Sequence, residues 1–351
     1  MKMVQREYAL CFYTPAFLGN AEQSGQWRTP PFKAQLRQWW RVAYAASKDF
    51  RPDVARMREQ EGQLFGHAWL ENDQDERVGK VAARKSLVRI RVGHWNEGSL
   101  PKNRWTPLDR VSHPEAPGAA ADLYLGFGPV VLPRGERTPT LKANAAIQAG
   151  EKNTFAIAYP DAHAPLIEQA LALMNQFGTV GGRSRNGWGS YSLHGINDVA
   201  ELPLRPWQEA LQLDWPHAIG SNDKDALAWQ TQPVDDWRAL MKELAIIKIK
   251  LRTHFKFPHA QPDGEIHARH WLSYPITRHS VRAWGNNARL PNSLRFKVRP
   301  TADGKLVGVI FHMPCQPPAA FRPDPKAITS VWQAVHAILD APACKLQRTR
   351  A

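Results

Sequence analysis

The sequence predicts an α+β protein made of two domains of similar design. Hydrophobic patterning over the first 195 residues gives the order strand, helix, strand, strand, helix, strand. A similar order begins again after residue 242, although the two halves show no convincing sequence repeat. This order is that of the split βαβ, or ferredoxin-like, unit, and RNA-recognition (RRM-like) folds also use it. We therefore expect two ferredoxin-like domains in tandem.

The chain of 351 residues is long enough for two domains of ordinary size. We expect an N-terminal domain over residues 1–195 that carries a glycine-rich loop. A helical linker is expected over 196–242, where two short helix-like pieces flank the polar stretch GSNDKD. The C-terminal domain is expected over 243–351.

Alternating and β-branched stretches predict the strands of the first domain, and proline or apolar periodicity predicts its helices. The predicted strands are EYALCFYTP, SLVRIRV (86–92), LYLGFG (123–128), TFAIAYP (154–160) and GSYSLHGI. The predicted helices are PPFKAQLRQWWRVAYAAS and PLIEQALALMNQF (165–177). Gly178 follows the second helix, at a position where a left-handed cap is expected.

The second domain is predicted by the same signals. The expected elements are a strand at IIKIKLRTHF (246–255), an antiparallel pair SLRFKVRP and KLVGVIFHMP around TADG, and a helix at AITSVWQAVHAIL (327–339).

The charge balance favours a polyanionic partner. The sequence has 46 Lys and Arg against 32 Asp and Glu, which gives a formal net charge of +14. Such an excess is typical of proteins that bind nucleic acid or an anionic membrane surface, and the alternative is a merely basic soluble protein. The sequence contains no long basic amphipathic helix, so we expect no membrane partner.

The N-terminus shows no signal-peptide pattern, and no apolar run approaches the length of a bilayer. The three cysteines are far apart and never in a CxxC spacing, which argues against a disulfide framework and a thiolate zinc site. A reducing cytoplasm is therefore the expected location.

The predicted helix at 30–48 carries a basic stripe next to its apolar face. Lys33, Arg37 and Arg41 recur at every fourth residue, with Trp40 and Tyr44 beside them. Like charges at this spacing repel, and no acid lies within the helix. A solvated helix face is the alternative, but the nearby aromatic residues favour nucleic acid, because aromatic rings stack on bases while Lys and Arg hold phosphates.

The stretch GTVGGRSRNGWGS at 178–190 has five glycines and two arginines. A glycine cluster lets backbone N–H groups converge on an anion. The stretch matches neither GxxxxGK[ST] nor GxGxxG, and it lies between a helix and a strand in the wrong order for those motifs. It is suited to a phosphodiester chain, or it is a plain turn.

These two segments resemble the RAMP superfamily, and within it the first subunit of the Cmr module of type III-B CRISPR-Cas effector complexes. The stretch TPAFLGNAEQ…RTPPFKAQLRQWWR (14–41) resembles the N-terminal signature of that family. Further similar stretches follow in the family's order, namely EGQLFG (61–66), SLVRIRV, LYLGFGP (123–129), AAIQAGEKNTFAI (145–157), FGTVGGRSRNGWGS (177–190) and, more weakly, ARLPNSLRFKV (288–298). The stretch GTVGGRSR departs from the family's Gly-Gly-hydrophobic-Gly run.

The resemblance implies a non-catalytic RNA-binding subunit, with no metal and no nucleotide cofactor, that caps the effector filament near the 3′ region of the guide RNA (crRNA). It implies guide RNA, target single-stranded RNA and other Cmr subunits as partners, in antiviral defence. On this interpretation the basic helix and the glycine loop flank one groove. The expected RNA-binding residues are Lys33, Arg37, Trp40, Arg41, Gly181, Gly182, Arg183, Ser184, Arg185, Asn186 and Gly187.

The main alternative is a RAMP endoribonuclease that processes guide RNA or slices target RNA. Such chemistry needs a general base or an Asp near the scissile phosphate. The candidates are His67, His267, His270, Asp73 and Asp75. The pair His267 and His270 lacks further ligands at a zinc-motif spacing, and each candidate is more simply a packing or surface residue.

Overall fold

The chain folds into two compact units, each drawn from separate stretches of the sequence. The computed structural model describes residues 2–68, 70, 73–75, 79–115, 119–223, 225–258, 264–285 and 287–349. The first unit comprises Met1–Arg104, Ala143–Gly182 and Trp188–Pro203. The second comprises Trp105–Lys142, Arg183–Gly187 and Leu204–Ala351. This division differs from the three successive ranges expected from the sequence, because the stretches 105–142 and 183–187 pack with the C-terminal half of the chain.

The main described elements of the first unit are four strands and three helices. They are β1 (Met3–Phe12), α1 (Pro30–Ala46), α2 (Val54–Phe65), β2 (Arg89–Val92), β3 (Lys152–Pro160), α3 (Ala164–Phe177) and β4 (Tyr191–His194). The sheet has the order β4-β1-β3-β2, and all its neighbours are antiparallel. Helix α1 follows the first strand and α3 follows the third, which is the connectivity of a split βαβ unit.

One face of this sheet packs against α1 and α3. Alternate residues of β3 are buried, as expected for a strand with one covered face. The ring of Phe32 on α1 lies 5.9 Å from Phe155 and 5.4 Å from Tyr191, and Trp39 lies 5.8 Å from Phe177 on α3. These contacts fix the face that α1 turns to the core, and therefore the face on which its basic residues lie.

The second unit has a sheet of the same connectivity. Its elements are β5 (Ala228–Gln230), α4 (Trp237–His254), β6 (Leu294–Pro300), β7 (Leu306–His312), α5 (Pro325–Asp340) and β8 (Gln347–Arg348). The order is β6-β7-β5-β8, again with antiparallel neighbours. The mixed helix and strand content of both units confirms the predicted α+β class.

Smaller elements complete both units. They include the helices Ala121–Gly126 and Trp207–Ala210. Four antiparallel strand pairs are formed by Gln74–Asp75 with Gly79–Lys80, Leu100–Pro101 with Ala145–Ala146, Arg110–Val111 with Ala119–Ala120, and Val130–Val131 with Thr140–Leu141 among the described residues. A further sheet consists of Leu204–Pro206, Ile219–Asn222 and Asp225–Ala226. None of the described helices combines the length and the apolarity that a membrane crossing needs.

The strand predicted at 246–255 is wrong, because residues 246–254 form the second half of α4. The Asp236 carboxylate caps this helix by accepting a hydrogen bond from Ala239 N at 3.3 Å. The helix buries Leu240, Leu244, Ile247 and Leu251, which recur at steps of four, three and four. The alternation of Ile and Lys in this stretch is therefore a coincidence within a helical pattern.

Two further local predictions are wrong. The stretch LYLGFG at 123–128 is not a strand, because its first four residues close the short helix Ala121–Gly126. Burial of Ala121 and Leu125, four residues apart, explains the helix. Gly178 has a φ of −73°, so the helix before it ends without a left-handed cap.

Candidate nucleic-acid interface

The basic stripe of α1 has an internal partner that the sequence pattern did not reveal. Glu61 on α2 accepts a hydrogen bond from Arg37 Nε at 2.8 Å. The same carboxylate accepts from Arg41 Nε at 2.8 Å and from Arg41 Nη2 at 2.9 Å. The Glu61 side chain is only 6% exposed, so this carboxylate is committed to the two guanidinium groups. The repulsion within the stripe is therefore relieved by the fold itself.

Lys33 is also engaged by the protein. Its ammonium group donates to the carbonyl of Phe65, the last residue of α2, at 2.9 Å. Burial, and then the charge of Arg37, lower the pKa of Lys33. Lys33 and Arg37 nevertheless line an open groove with Thr29, Gly66, Arg84 and Ser86, so one edge of each side chain faces solvent.

Trp40 is a core residue. Its side chain is 2% exposed, and its ring lies 5.8 Å from Phe65 and 5.1 Å from Tyr44. The indole fills the space between α1 and α2, so its ring offers no face to a base. The interpretation of Trp40 as an RNA-stacking residue is corrected on this ground.

The first two loop glycines are explained by close backbone approach within the first unit. Gly181 has a φ of +94°, and a Cβ there would lie 2.8 Å from the carbonyl oxygen of Phe17. Gly182 N donates to that same oxygen at 3.0 Å. Any residue larger than glycine at 181 would displace the Phe17 backbone, so this glycine has a structural role.

Residues 183–187 form a tight turn in the second unit. Asn186 N donates to Arg183 O at 2.9 Å, and Gly187 N donates to Ser184 O at 3.1 Å. Arg183 has a φ of +56°, in the left-handed region that non-glycine residues rarely occupy. Within the described part of the chain, the N–H groups of Arg183, Ser184 and Arg185 find no hydrogen-bond acceptor. These three donors are therefore available to a ligand.

The polar side chains of this turn are held by two neighbouring elements. Arg183 Nε donates to Phe127 O at 2.6 Å, and Asn186 Nδ2 donates to Leu125 O at 2.6 Å. Lys248 on α4 donates to Asn186 Oδ1 at 2.7 Å. Asn186 is thus a bridge that brings α4 to the turn, and it uses its amide for that purpose.

Arg183, Lys248 and Arg252 form a group that we name the basic cluster. Burial lowers the pKa of Lys248 well below its ordinary value, and the charges of Arg252 and Arg183 lower it further. Burial also lowers the pKa of Arg252. No ion pair involves any of these three residues in the part of the structure that is described. Among the described residues, the positive charge of the cluster therefore has no ion-paired carboxylate to compensate it.

The carboxylate of Glu115 acts electrostatically on the basic cluster, but it is already hydrogen-bonded to another arginine. Glu115 raises the pKa of Arg252, but both of its oxygens accept hydrogen bonds from Arg269 Nη1 at 2.8 Å. Burial lowers the pKa of Arg185, a second arginine of the turn. Burial, and then the charge of Arg185, lower the pKa of Arg295 to about 9.

The first group of candidate catalytic residues forms a closed structural network. His67 Nε2 lies 2.6 Å from Asp73 Oδ2, and Leu70 N donates to His67 Nδ1 at 3.3 Å. Arg84 donates to both Asp73 oxygens, at 2.5 and 2.9 Å, and this holds the pKa of Asp73 below its ordinary value. Both ring nitrogens of His67 are occupied, so the ring has no free position for a general base. Asp75 closes the strand Gln74–Asp75, and its side chain lies outside the described residues.

His270 is locked in the same way. Its Nδ1 accepts from His267 N at 3.0 Å, and its Nε2 donates to His279 O at 3.1 Å. His267 accepts from the backbone of His270 in return, so the pair caps a short 3₁₀ helix. The residues that are described contain no group of three or more His, Cys, Asp or Glu that could hold a metal ion.

Sequence reasoning found Arg183 and Asn186 but missed Lys248 and Arg252. The missing signal was the length of α4, because Lys248 and Arg252 are four residues apart and share a face only if the stretch is helical. The helical pattern that begins at Asp236 would have revealed them.

The fold is of the α+β class, and the basic cluster has the charge that a polyanion requires. The family model of the RAMP superfamily matches residues 30–192. The segment contains α1, α2 and the whole glycine turn.

Two distant structural likenesses cover most of the chain. The chain is similar to the crystal structure of Cmr1 from Pyrococcus furiosus in its apo form, with 17% identity, a TM-score of 0.42, and coverage of 89% of this chain and 88% of that one. It is also similar to a chain of the cryo-EM structure of the type III-B Cmr-beta bound to cognate target RNA. There the identity is 11%, the TM-score 0.44, and the coverage 97% and 100%. No curated protein matches the sequence.

Proposed function

We propose that this protein is a non-catalytic RNA-binding subunit of a type III-B CRISPR (Cmr) effector complex. In this proposal it caps the filament near the 3′ region of the guide RNA and helps to capture target single-stranded RNA. The proposal also holds that both units are ferredoxin-like domains, which their matching strand orders support.

The basic cluster is the observation that carries the RNA-binding proposal. Burying cations beside one another without an acid is costly, and it is relieved when a phosphate binds. The turn next to the cluster adds three unoccupied backbone N–H donors, which suit a phosphate oxygen. The net charge of +14 adds a long-range attraction to any polyanion.

The test is binding of the purified full-length protein to a fluorescein-labelled single-stranded RNA over a range of salt concentrations. Binding to the phosphates of the strand releases counterions, so the logarithm of affinity should fall linearly as the logarithm of salt concentration rises. Lys248→Met should lower the affinity and flatten the slope. Lys326→Met, which removes an exposed lysine at the start of α5, is the matched control. An affinity that does not depend on salt would overturn the proposal.

The non-catalytic part of the proposal is supported by the hydrogen bonds of the candidate bases. His67 and His270 have both ring nitrogens engaged, and Asp73 is paired with Arg84. Incubation with guide precursor and with target RNA should therefore give no cleavage products. Cleavage that disappears on His67→Gln or Asp73→Asn substitution would identify a RAMP endoribonuclease instead.

The capping role has its own experiment. A Cmr complex assembled without this subunit should keep its filament and its guide RNA but capture target RNA less well. Loss of the guide RNA or of the filament on omission would contradict a capping position.

A further inference from the structure

Phe127 is a large apolar side chain that the second unit exposes on a well-anchored backbone. Its side chain is 63% exposed. Gly128 N donates to Val130 O at 3.1 Å, and the carbonyl of Phe127 itself accepts from Arg183 Nε at 2.6 Å. The ring is therefore displayed by an ordered turn rather than by a loose end.

The same turn lies against the basic cluster. A Cβ placed on Gly128 would lie 3.8 Å from both Nε and Nη2 of Arg183, so the backbone after Phe127 borders the guanidinium group. The charge of Arg183 acts in turn on both Lys248 and Arg252. An exposed aromatic ring and a group of three cations thus adjoin through one arginine.

A buried hydroxyl group points to a ligand at the same place. The Tyr124 hydroxyl has no hydrogen-bond partner among the described residues, although it is buried. The Lys248 ammonium lies 5.9 Å from the centre of the Tyr124 ring, so the tyrosine belongs to the surroundings of the cluster. A buried hydroxyl without a partner is costly, and a bound phosphate oxygen would supply the missing acceptor.

The exposed ring of Phe127 together with the basic cluster favours one kind of ligand. A free phosphate would use the cations but leave the ring unused, and an acidic side chain carries no flat face for the ring. A nucleotide carries both a phosphate and an aromatic base, and base stacking on an aromatic side chain tolerates any sequence. The two features therefore fit a nucleotide residue within a single strand.

We propose that Phe127 stacks on one base of a single-stranded RNA while Arg183, Lys248 and Arg252 hold the adjoining phosphate. This inference rests on the proposed RNA-binding function and assigns a single-nucleotide site within it. The site is sequence-tolerant, because neither the ring nor the cations read the edge of the base.

The test uses the full-length protein and a single-stranded RNA of about 12 nucleotides that contains 2-aminopurine. Stacking quenches the fluorescence of this base, so the signal reports the ring contact directly. Phe127→Leu should weaken binding about tenfold and abolish the quenching, because a stacked base contributes at that level. Phe127→Tyr should keep both the affinity and the quenching.

Trp95→Leu is the matched control, because Trp95 is 62% exposed and lies in the first unit. It should leave affinity and quenching unchanged. Wild-type affinity and quenching in Phe127→Leu, or an equal loss in Trp95→Leu, would overturn the site. Displacement of the RNA by inorganic phosphate from wild type and Phe127→Leu alike would show a phosphate-only site and also overturn it.

Failure of this inference is distinguishable from failure of the proposed function. If the wild-type protein binds the RNA and Phe127→Leu binds equally well, the RNA-binding function stands and the nucleotide site falls. If the wild-type protein does not bind the RNA at all, the proposed function falls and the site falls with it.

Discussion

The basic helix α1 of the first unit and the basic cluster of the second unit differ in the groups that pair with their cationic side chains. In the first unit, Arg37 and Arg41 share the buried carboxylate of Glu61. In the second unit, the hydrogen bond that Lys248 makes among the described residues goes to a neutral amide, that of Asn186. The first arrangement offsets part of its charge with a buried carboxylate, whereas the second has no ion-paired carboxylate among the described residues. A basic stripe in a sequence is therefore weak evidence for ligand binding until the acids of neighbouring helices are known.

The largest expected effect is a loss of stability on substitution of Trp40 in the basic helix. Trp40→Ala should lower the free energy of unfolding by about 3–5 kcal/mol, because it empties the space between α1 and α2. Trp40→Phe should cost far less, since it keeps a ring and removes an indole N–H that has no partner among the described residues. Chemical denaturation measures both values. Weaker RNA binding by Trp40→Phe with unchanged stability would show that Trp40 contacts RNA after all.

The next effect concerns Glu61. Glu61→Gln should lower the free energy of unfolding by about 1–3 kcal/mol, because it weakens three charged hydrogen bonds. The same change should raise the affinity for RNA, since it releases the charges of Arg37 and Arg41. Thermal unfolding and RNA binding measure the two effects, with Glu59→Gln on the same helix as the control. Reduced RNA affinity in folded Glu61→Gln would contradict this account of the basic helix.

The smallest expected effect is a dependence of RNA affinity on pH, which should come mainly from Lys248 in the basic cluster. Lys248 faces Arg252 on its own helix, Arg183 on the turn and Tyr124 on the short helix, and its pKa lies well below the ordinary 10.5. A bound phosphate favours the charged ammonium, so binding takes up a proton once the pH exceeds the lowered pKa. Affinity should therefore fall as the pH rises toward 10.5, by up to about tenfold.

Lys248→Arg supplies the control for this titration. An arginine keeps its charge over the whole range, so the fall in affinity should be smaller in this variant. Lys33 also has a lowered pKa, and any dependence left in Lys248→Arg reports its share. An identical fall in RNA affinity in the wild type and in Lys248→Arg would show that the titrating group is not Lys248.

The sequence predicted the α+β class, and it placed β1, α1, β3, α3 and α5 close to where they lie. These elements have strong periodic patterns that packing reinforces. It failed at 246–255, where alternating Ile and Lys mimic a strand although Asp236 caps a helix. The alternation within 246–255 contains no information about a helix cap that lies ten residues upstream.

The candidate site was predicted only in part, for a related reason. Arg183 and Asn186 were found because they lie in a conspicuous glycine stretch. Trp40 was misread because its neighbour α2 was not predicted, and the ring is buried against that helix. Glu61 was missed as the partner of Arg37 for the same reason. Such tertiary partners are set by packing and leave no trace in the spacing of a single segment.

The most direct test compares the RNA affinity of two variants at one salt concentration. The first variant combines Lys33→Ala, Arg37→Ala and Arg41→Ala with Glu61→Gln, so that no acid is left buried without a partner. The second combines Arg183→Ala with Lys248→Ala. The second variant should lose affinity on the order of a hundredfold, and the first less than about tenfold. A hundredfold loss in the first variant with wild-type binding by the second would contradict the account.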